Sequence, residues 1–243
     1  MIPSTPRRTG LFLGVSFLLY FAPDLLTPEI WQHHAIYPVL SACYQGALVL
    51  LGFGYGPAIC RAMVEHEISA GPTYSGVHQA LTLLSASGRR LPPVMLAEQI
   101  TPFVLTAGLW PTHCQTFISS ALAERLSATG LRFLLARAAV HATLRHRLVS
   151  LLPILAITVL VPDSPTNLAA WLGVAGILSL WLLLHWAFEL DADRQAARML
   201  DADASEGLRE VVAATQSPLG WLTPHPPMPW RLRAIRKQAA RDC

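Results

Sequence analysis

The sequence predicts a mainly α membrane protein, with four transmembrane helices and a small cytoplasmic α+β domain. Three observations carry that prediction. Hydrophobic residues make up 53% of the 243-residue chain and charged residues 14%, with a mean hydropathy of +0.41, too apolar for an ordinary soluble globule. Leu168 to Phe188 runs for 21 residues without Asp, Glu, Lys or Arg, enough to cross a hydrocarbon layer about 30 Å thick. The basic residues, all Arg except Lys237, fall in some segments of the chain and avoid others.

Taken in order, residues 1–60 hold two spans. Arg7 and Arg8 precede the apolar run Leu11 to Ala22, and Pro23-Asp24 closes it. No small-residue cleavage site follows, so Gly10 to Leu26 is expected to be a retained span rather than a signal peptide. A polar link, Thr27 to His34, leads to a second span from about Ile36 to Cys60. Its Gly46, Gly52, Gly54 and Gly56 are small residues that let membrane helices approach closely.

Residues 61–147 form the long hydrophilic segment. His66-Glu67-Ile68-Ser69-Ala70 begins like a zinc motif but ends in Ala70 where a second His is needed, and reads as a solvated stretch leaving the membrane. Gly88-Arg89-Arg90-Leu91-Pro92-Pro93 marks a turn. Val94 to Ser119 is rich in Thr, Phe, Val and Ile with Pro and Gly breaks, which predicts short strands or a hairpin. Ser120 to Leu126 makes one or two helical turns, and Ser127 is placed to cap the helix that follows.

Residues 148–188 supply the third and fourth spans. Leu148 to Val161 is only 14 residues, which by length alone suits a buried or re-entrant segment; a helix continuing into it from Gly130 makes a span reasonable. Pro162-Asp163-Ser164-Pro165 is a turn, and Leu168 to Phe188 carries Trp171, Trp181 and Trp186 toward its ends. In residues 189–243 that helix is expected to run on to Leu200. A tail of alternating Arg and apolar residues, Trp230 to Arg241, predicts a basic helix lying on the cytoplasmic leaflet.

The connections Thr27 to Ala35 and Pro162 to Asn167 contain no Arg or Lys. The positive-inside rule therefore puts both termini and the long segment in the cytoplasm, in an inner or plasma membrane. A net charge of +3 placed by topology is no nucleic-acid patch. Cys43, Cys60, Cys114 and Cys243 lack Cys-x-x-Cys spacing and predict reduced thiols, not a disulfide framework.

Chemistry concentrates in Leu134 to Arg147, LLARAAVHATLRHR, and Trp186 to Leu200, WAFELDADRQAARML. Residues four apart share a helix face, so Arg137 looks the same way as His141, and His185, Glu189 and Asp193 form one stripe. A helical His-x-x-x-His pair with a Glu from a later helix is how one class of zinc hydrolase builds its metal site. Here the first His reads Arg137 and the would-be catalytic Glu reads Ala138.

Four stretches in order resemble the HtpX and CAAX-prenyl-protease group of membrane zinc metallopeptidases, and more distantly the BlaR-type sensor peptidases. Ile100 to Leu109, with Phe117-Ile118-Ser119, is similar to the hairpin along which family members align substrate. Leu135 to His146 is similar to the H-E-x-x-H helix, Glu189 to Ala196 to the E-x-x-x-D helix, and His225-Pro226-Pro227 with Arg231 to the C-terminal H-P-P-x-x-x-R signature. The resemblance implies a zincin-like cytoplasmic domain. It makes His141 and Glu189 residual metal-ligand positions, Asp193 a carboxylate that orients ligands, and Arg231 the tail arginine.

Two ligands fall short of the three protein donors a catalytic zinc needs. Without Glu at position 138 general-base help, commonly worth about 10²–10⁴-fold, is gone. The resemblance thus implies a pseudopeptidase that binds or scaffolds another membrane protein, holds no cofactor, and has no catalytic residue. An Arg137–Glu189 ion pair is expected in place of the metal. The competing expectation is an active zinc endopeptidase with a rearranged site, in which His146, His185 or His113 serves as a substitute ligand.

Overall fold

The computed structural model describes residues 6–64, 67–68, 74–86, 91–160, 168–200, 203–215 and 225–242. The expected turn at 162–165, Cys243 and most of the 66–70 stretch lie outside them.

The N-terminal apolar run forms α1 (Pro6–Tyr20), and Pro23 opens a new short helix, α2 (Ala22–Leu26). After α3 (Glu29–Gln32) comes α4 (Tyr37–Gly54), where Tyr55 interrupts the helix before α5 (Gly56–Met63). Among the described residues two helices are long and apolar enough to cross a membrane, Tyr37–Gly54 and Trp171–Leu200, with a shorter apolar helix at Gly10–Tyr20. Leu11, Leu26, Leu168 and Leu183 are exposed along α1, α2 and the long apolar helix; an apolar surface of that extent is what a lipid-facing surface requires.

Four strands make one sheet: β1 (Glu67–Ile68), β2 (Val94–Ala97), β3 (Val104–Ala107) and β4 (Gln115–Ser119), in the order β1-β2-β4-β3. The expected hairpin is β3 with β4, Leu105 opposite Phe117, antiparallel. Its turn holds Gly108 at φ +110°, where a Cβ would stand 2.9 Å from Cys114 Cα and His113 O, so only glycine fits. β2 pairs with the far side of β4 in parallel, leaving β3 at the sheet edge.

Between β1 and β2 lies α6 (Ser75–Ala86), and after β4 come α7 (Ser120–Arg125) and α8 (Ala128–His141). Ser119 and Ser127 cap these two, their side-chain oxygens accepting the N–H of Leu122 and Gly130. The helix from Gly130 does not continue into the next apolar stretch, contrary to the condition set for a third span. It stops at Ala142, whose carbonyl takes the Cys114 thiol at 3.7 Å, and α9 (Leu144–Leu160) starts afresh with Pro153 inside it. The break lets Arg147 turn back and donate to Thr106 O on β3 at 2.6 Å.

α10 (Leu168–Leu200) is one uninterrupted 33-residue helix, about 50 Å at 1.5 Å per residue. It is long enough to cross a bilayer and still project into the folded domain. There its last turns join α11 (Ala204–Thr215) and α12 (Met228–Asp242) around a core of Phe133, Ile118, Leu122 and Leu208. α12 is not merely a surface helix: Arg231, Ala234, Ile235 and Gln238 are buried.

α8 and α11 cross at a glycine. A Cβ on Gly207 would lie 2.6 Å from Phe133 Cβ and 3.0 Å from Thr129 O, atoms held by the backbone of α8. Gly207→Ala is therefore expected to destabilise the domain by about 1–3 kcal/mol by overpacking, despite alanine's better helix propensity. Gly52→Ala in α4, with nothing within 4 Å of the added carbon, is the control expected to leave the melting midpoint in detergent unchanged.

Candidate functional site

One face of α8 and one stripe of α10 meet over a cleft of about 1070 Å³. α8 brings Arg137 and His141, one turn apart; α10 lines the cleft with Trp186 and Glu189, and His185 and Asp193 stand one turn to either side of Glu189 on the same stripe. β3 forms one wall through Val104, Leu105 and Thr106, and the segment before α12 brings in His225.

The centre of the site is four buried charges. Arg137 is 8% exposed and Asp193 0%. Arg137 Nη2 donates to Glu189 Oε2 at 2.5 Å. Its Nε lies 2.8 Å from Asp193 Oδ1, but the N–H is not aimed at that oxygen, so this second contact is electrostatic rather than a hydrogen bond. Arg231 grips Asp193 with both prongs, Nε to Oδ2 at 2.6 Å and Nη2 to Oδ1 at 2.9 Å, the two-point geometry that suits a guanidinium. Two arginines and two carboxylates cancel, which is how charges this deep are tolerated.

Two imidazoles complete the shell of Glu189. His225 Nδ1 lies 2.8 Å from Oε2, and His141 Nε2 lies 3.3 Å from Oε1. Burial, reinforced by the positive charges of Arg137 and Arg147 and opposed by Glu189, pushes the His141 imidazole down to about 3. It is neutral at physiological pH, so its approach to Glu189 is not an ion pair.

The expected contact between Arg137 and Glu189 is therefore present, and Asp193 shares the same guanidinium. The residues at the resemblance's metal position do not fit zinc. A guanidinium occupies the place of the first His, Ala138 stands buried where the Glu belongs, and only His141 and Glu189 remain as donors.

Of the substitute ligands, exposed His113 pairs with Thr112, and His146 turns to Asp191 at 3.4 Å with Phe188 against its ring. His146 also lines the cleft, its ring 5.2 Å from that of His141, but among the described residues it is His185 that joins a three-donor set: its donor atom and those of Glu189 and His225 all lie within 4.8 Å of one another.

Sequence reasoning missed three residues here. Arg147 covers the β3 edge, Gln195 donates to Asp191 at 2.8 Å beside His146, and Glu210 accepts from the Ser127 N–H and hydroxyl at the start of α8. Only the i, i+4 spacing of Asp191 and Gln195 was a readable signal.

Comparison with known proteins adds three findings. The family described as peptidase family M48 matches residues 78–239. The crystal structure of S. mikatae Ste24p is similar in fold, with a TM-score of 0.53 at 14% identity, covering 95% of this chain. This chain spans 66% of that one. None of the curated proteins compared is significantly similar to it.

Proposed function

This chain belongs to peptidase family M48, and from that premise we propose that it is a catalytically degenerate member, a membrane pseudopeptidase that binds or scaffolds another membrane protein. The observation that supports this reading is the Arg137 guanidinium lying on Glu189 and Asp193 where the family's metal chemistry is centred. A fixed cation ties α8 to α10 as a dication would, but activates nothing. Ala138 leaves no proton acceptor on that turn. The cleft and its β3 wall remain, so peptide recognition outlasts hydrolysis.

In this reading α1 and α9 also enter the bilayer, giving four spans; α9, though it does not continue α8, gains length by starting at Leu144 and at 17 residues reaches the short end of what crosses a bilayer. Both termini and the folded domain lie on the cytoplasmic side of an inner or plasma membrane, following the placement of Arg. His141 and Glu189 are residual ligand positions, and Asp193, Arg231 and His225 hold the charge cluster together.

A second reading is favoured by one observation, the convergence of His185, Glu189 and His225. Two His and one Glu are the donor set of many catalytic zinc sites, so an endopeptidase with a relocated metal is the competing function. Metal analysis of the purified full chain separates the two. The first reading expects well under about 0.1 zinc per chain and no chelator-sensitive cleavage of casein. Zinc near one per chain that is lost in both His185→Ala and His225→Ala would replace it with the second.

A further inference from the structure

The exposed side of α12 takes no part in the cleft. Its buried side is spent on Arg231, Ala234, Ile235 and Gln238, while Arg233, Arg236 and Lys237 are exposed on the other. These three stand at i, i+3 and i+4, one surface stripe, and Trp230 precedes Arg233 by three residues on the same stripe. Together with Met228, Pro229 and Leu232 the cations line a shallow cleft of about 750 Å³. No carboxylate pairs with any of the three among the described residues, in a domain where Arg137 and Arg231 each lie against a buried carboxylate.

Position gives the stripe its meaning. Trp230 is half exposed and packs edge-on against Trp186 at 5.8 Å between ring centroids. Trp186 stands two residues before the charge-free run of α10 ends at Phe188. Two indoles at the end of an apolar span mark the headgroup level of a bilayer. From Trp230 to Lys237 is seven residues, about 10 Å of helix, so all three cations fall within about one Debye length of that level.

We propose that this face of α12 is a docking surface for anionic phospholipid headgroups of the same membrane, with Arg233, Arg236 and Lys237 meeting phosphates and Trp230 seated among the headgroups. The inference rests on α10 crossing a bilayer, as read above. It does not depend on whether the peptidase site is active. Its effect is to press the folded domain against the membrane, which sets the height of the peptide cleft above the lipid.

The test uses the full chain in phosphatidylcholine liposomes, with spin-labelled phosphatidylglycerol or phosphatidylcholine as the reporting lipid. The wild type is expected to favour the anionic label severalfold and to lose that preference at 0.5 M NaCl. A basic residue near such a surface contributes about fivefold, so the Arg233→Gln/Arg236→Gln/Lys237→Gln variant is expected to lose at least about fivefold in selectivity. An Arg233→Lys/Arg236→Lys variant should keep it. Equal selectivity in wild type and triple variant overturns the docking surface while leaving the membrane reading intact. Release of the chain from its membrane by alkaline carbonate overturns both.

Discussion

Arg137→Met is expected to lower the stability of the folded domain by about 3–5 kcal/mol, the usual cost of removing one partner from a buried ion pair. The magnitude follows from what is left behind. With Arg137 gone, Asp193 keeps both prongs of Arg231, but Glu189 retains only the two imidazoles, and His141 is neutral. The cluster then carries an uncompensated buried negative charge. For a unit of roughly 150 residues the loss corresponds to a fall of about 10 °C or more in melting midpoint.

Adding Glu189→Gln to Arg137→Met restores the charge balance, since Asp193 and Arg231 remain as a closed pair. The double variant is therefore expected to be more stable than Arg137→Met alone, with a coupling energy of about 1–3 kcal/mol between the two positions. The measurement is thermal unfolding of the four corners of the cycle in one detergent. An Arg137→Met midpoint within about 2 °C of wild type would show that the guanidinium does not tie the helices together.

The second large effect is a gain. Arg137→His with Ala138→Glu recreates H-E-x-x-H on α8, giving position 137, His141 and Glu189 as three donors and a new carboxylate one residue on. Ala138 lines the cleft, so the longer side chain has space to enter. Zinc content is expected to rise from well under about 0.1 to near one per chain. Cleavage of an unfolded protein substrate should follow and be abolished by a chelator. Arg137→His alone should bind zinc without comparable cleavage, because the proton acceptor is worth about 10²–10⁴-fold. A folded double variant that holds zinc and still cleaves nothing would place the loss of function in the cleft walls, where Arg147 already covers Thr106 O.

Much of this was legible locally. The apolar runs gave the two long helices, because crossing a bilayer needs length and the absence of charge. Helical periodicity put Arg137 with His141, and His185 with Glu189 and Asp193. The Ser127 cap was readable because a cap is made within three residues. The first span was expected to run through to Leu26, but the helix stops at Tyr20 and a new one starts with Pro23 in its first turn. The α8–α9 break was not readable. Nothing between Gly130 and Leu151 resembles a stop, and the carbonyl of Ala142 at the end of α8 faces the Cys114 thiol at 3.7 Å, from a different part of the chain.

The same division runs through the site. By itself the sequence determined which side chains share a face, that Arg137 stands one turn before His141 with Ala138 next to it in the frame of an H-E-x-x-H helix, and that the family is one of membrane metallopeptidases, since each depends on residue identity at short spacing. Only the tertiary structure decided that Arg137 serves both carboxylates, that Arg231 belongs to Asp193, that His225 comes to Glu189, and that β2 joins β4 in parallel. Those contacts bridge 22 to 56 positions of chain, and their partners depend on how helices cross and strands order. A pattern that repeats every two to four residues carries no record of that.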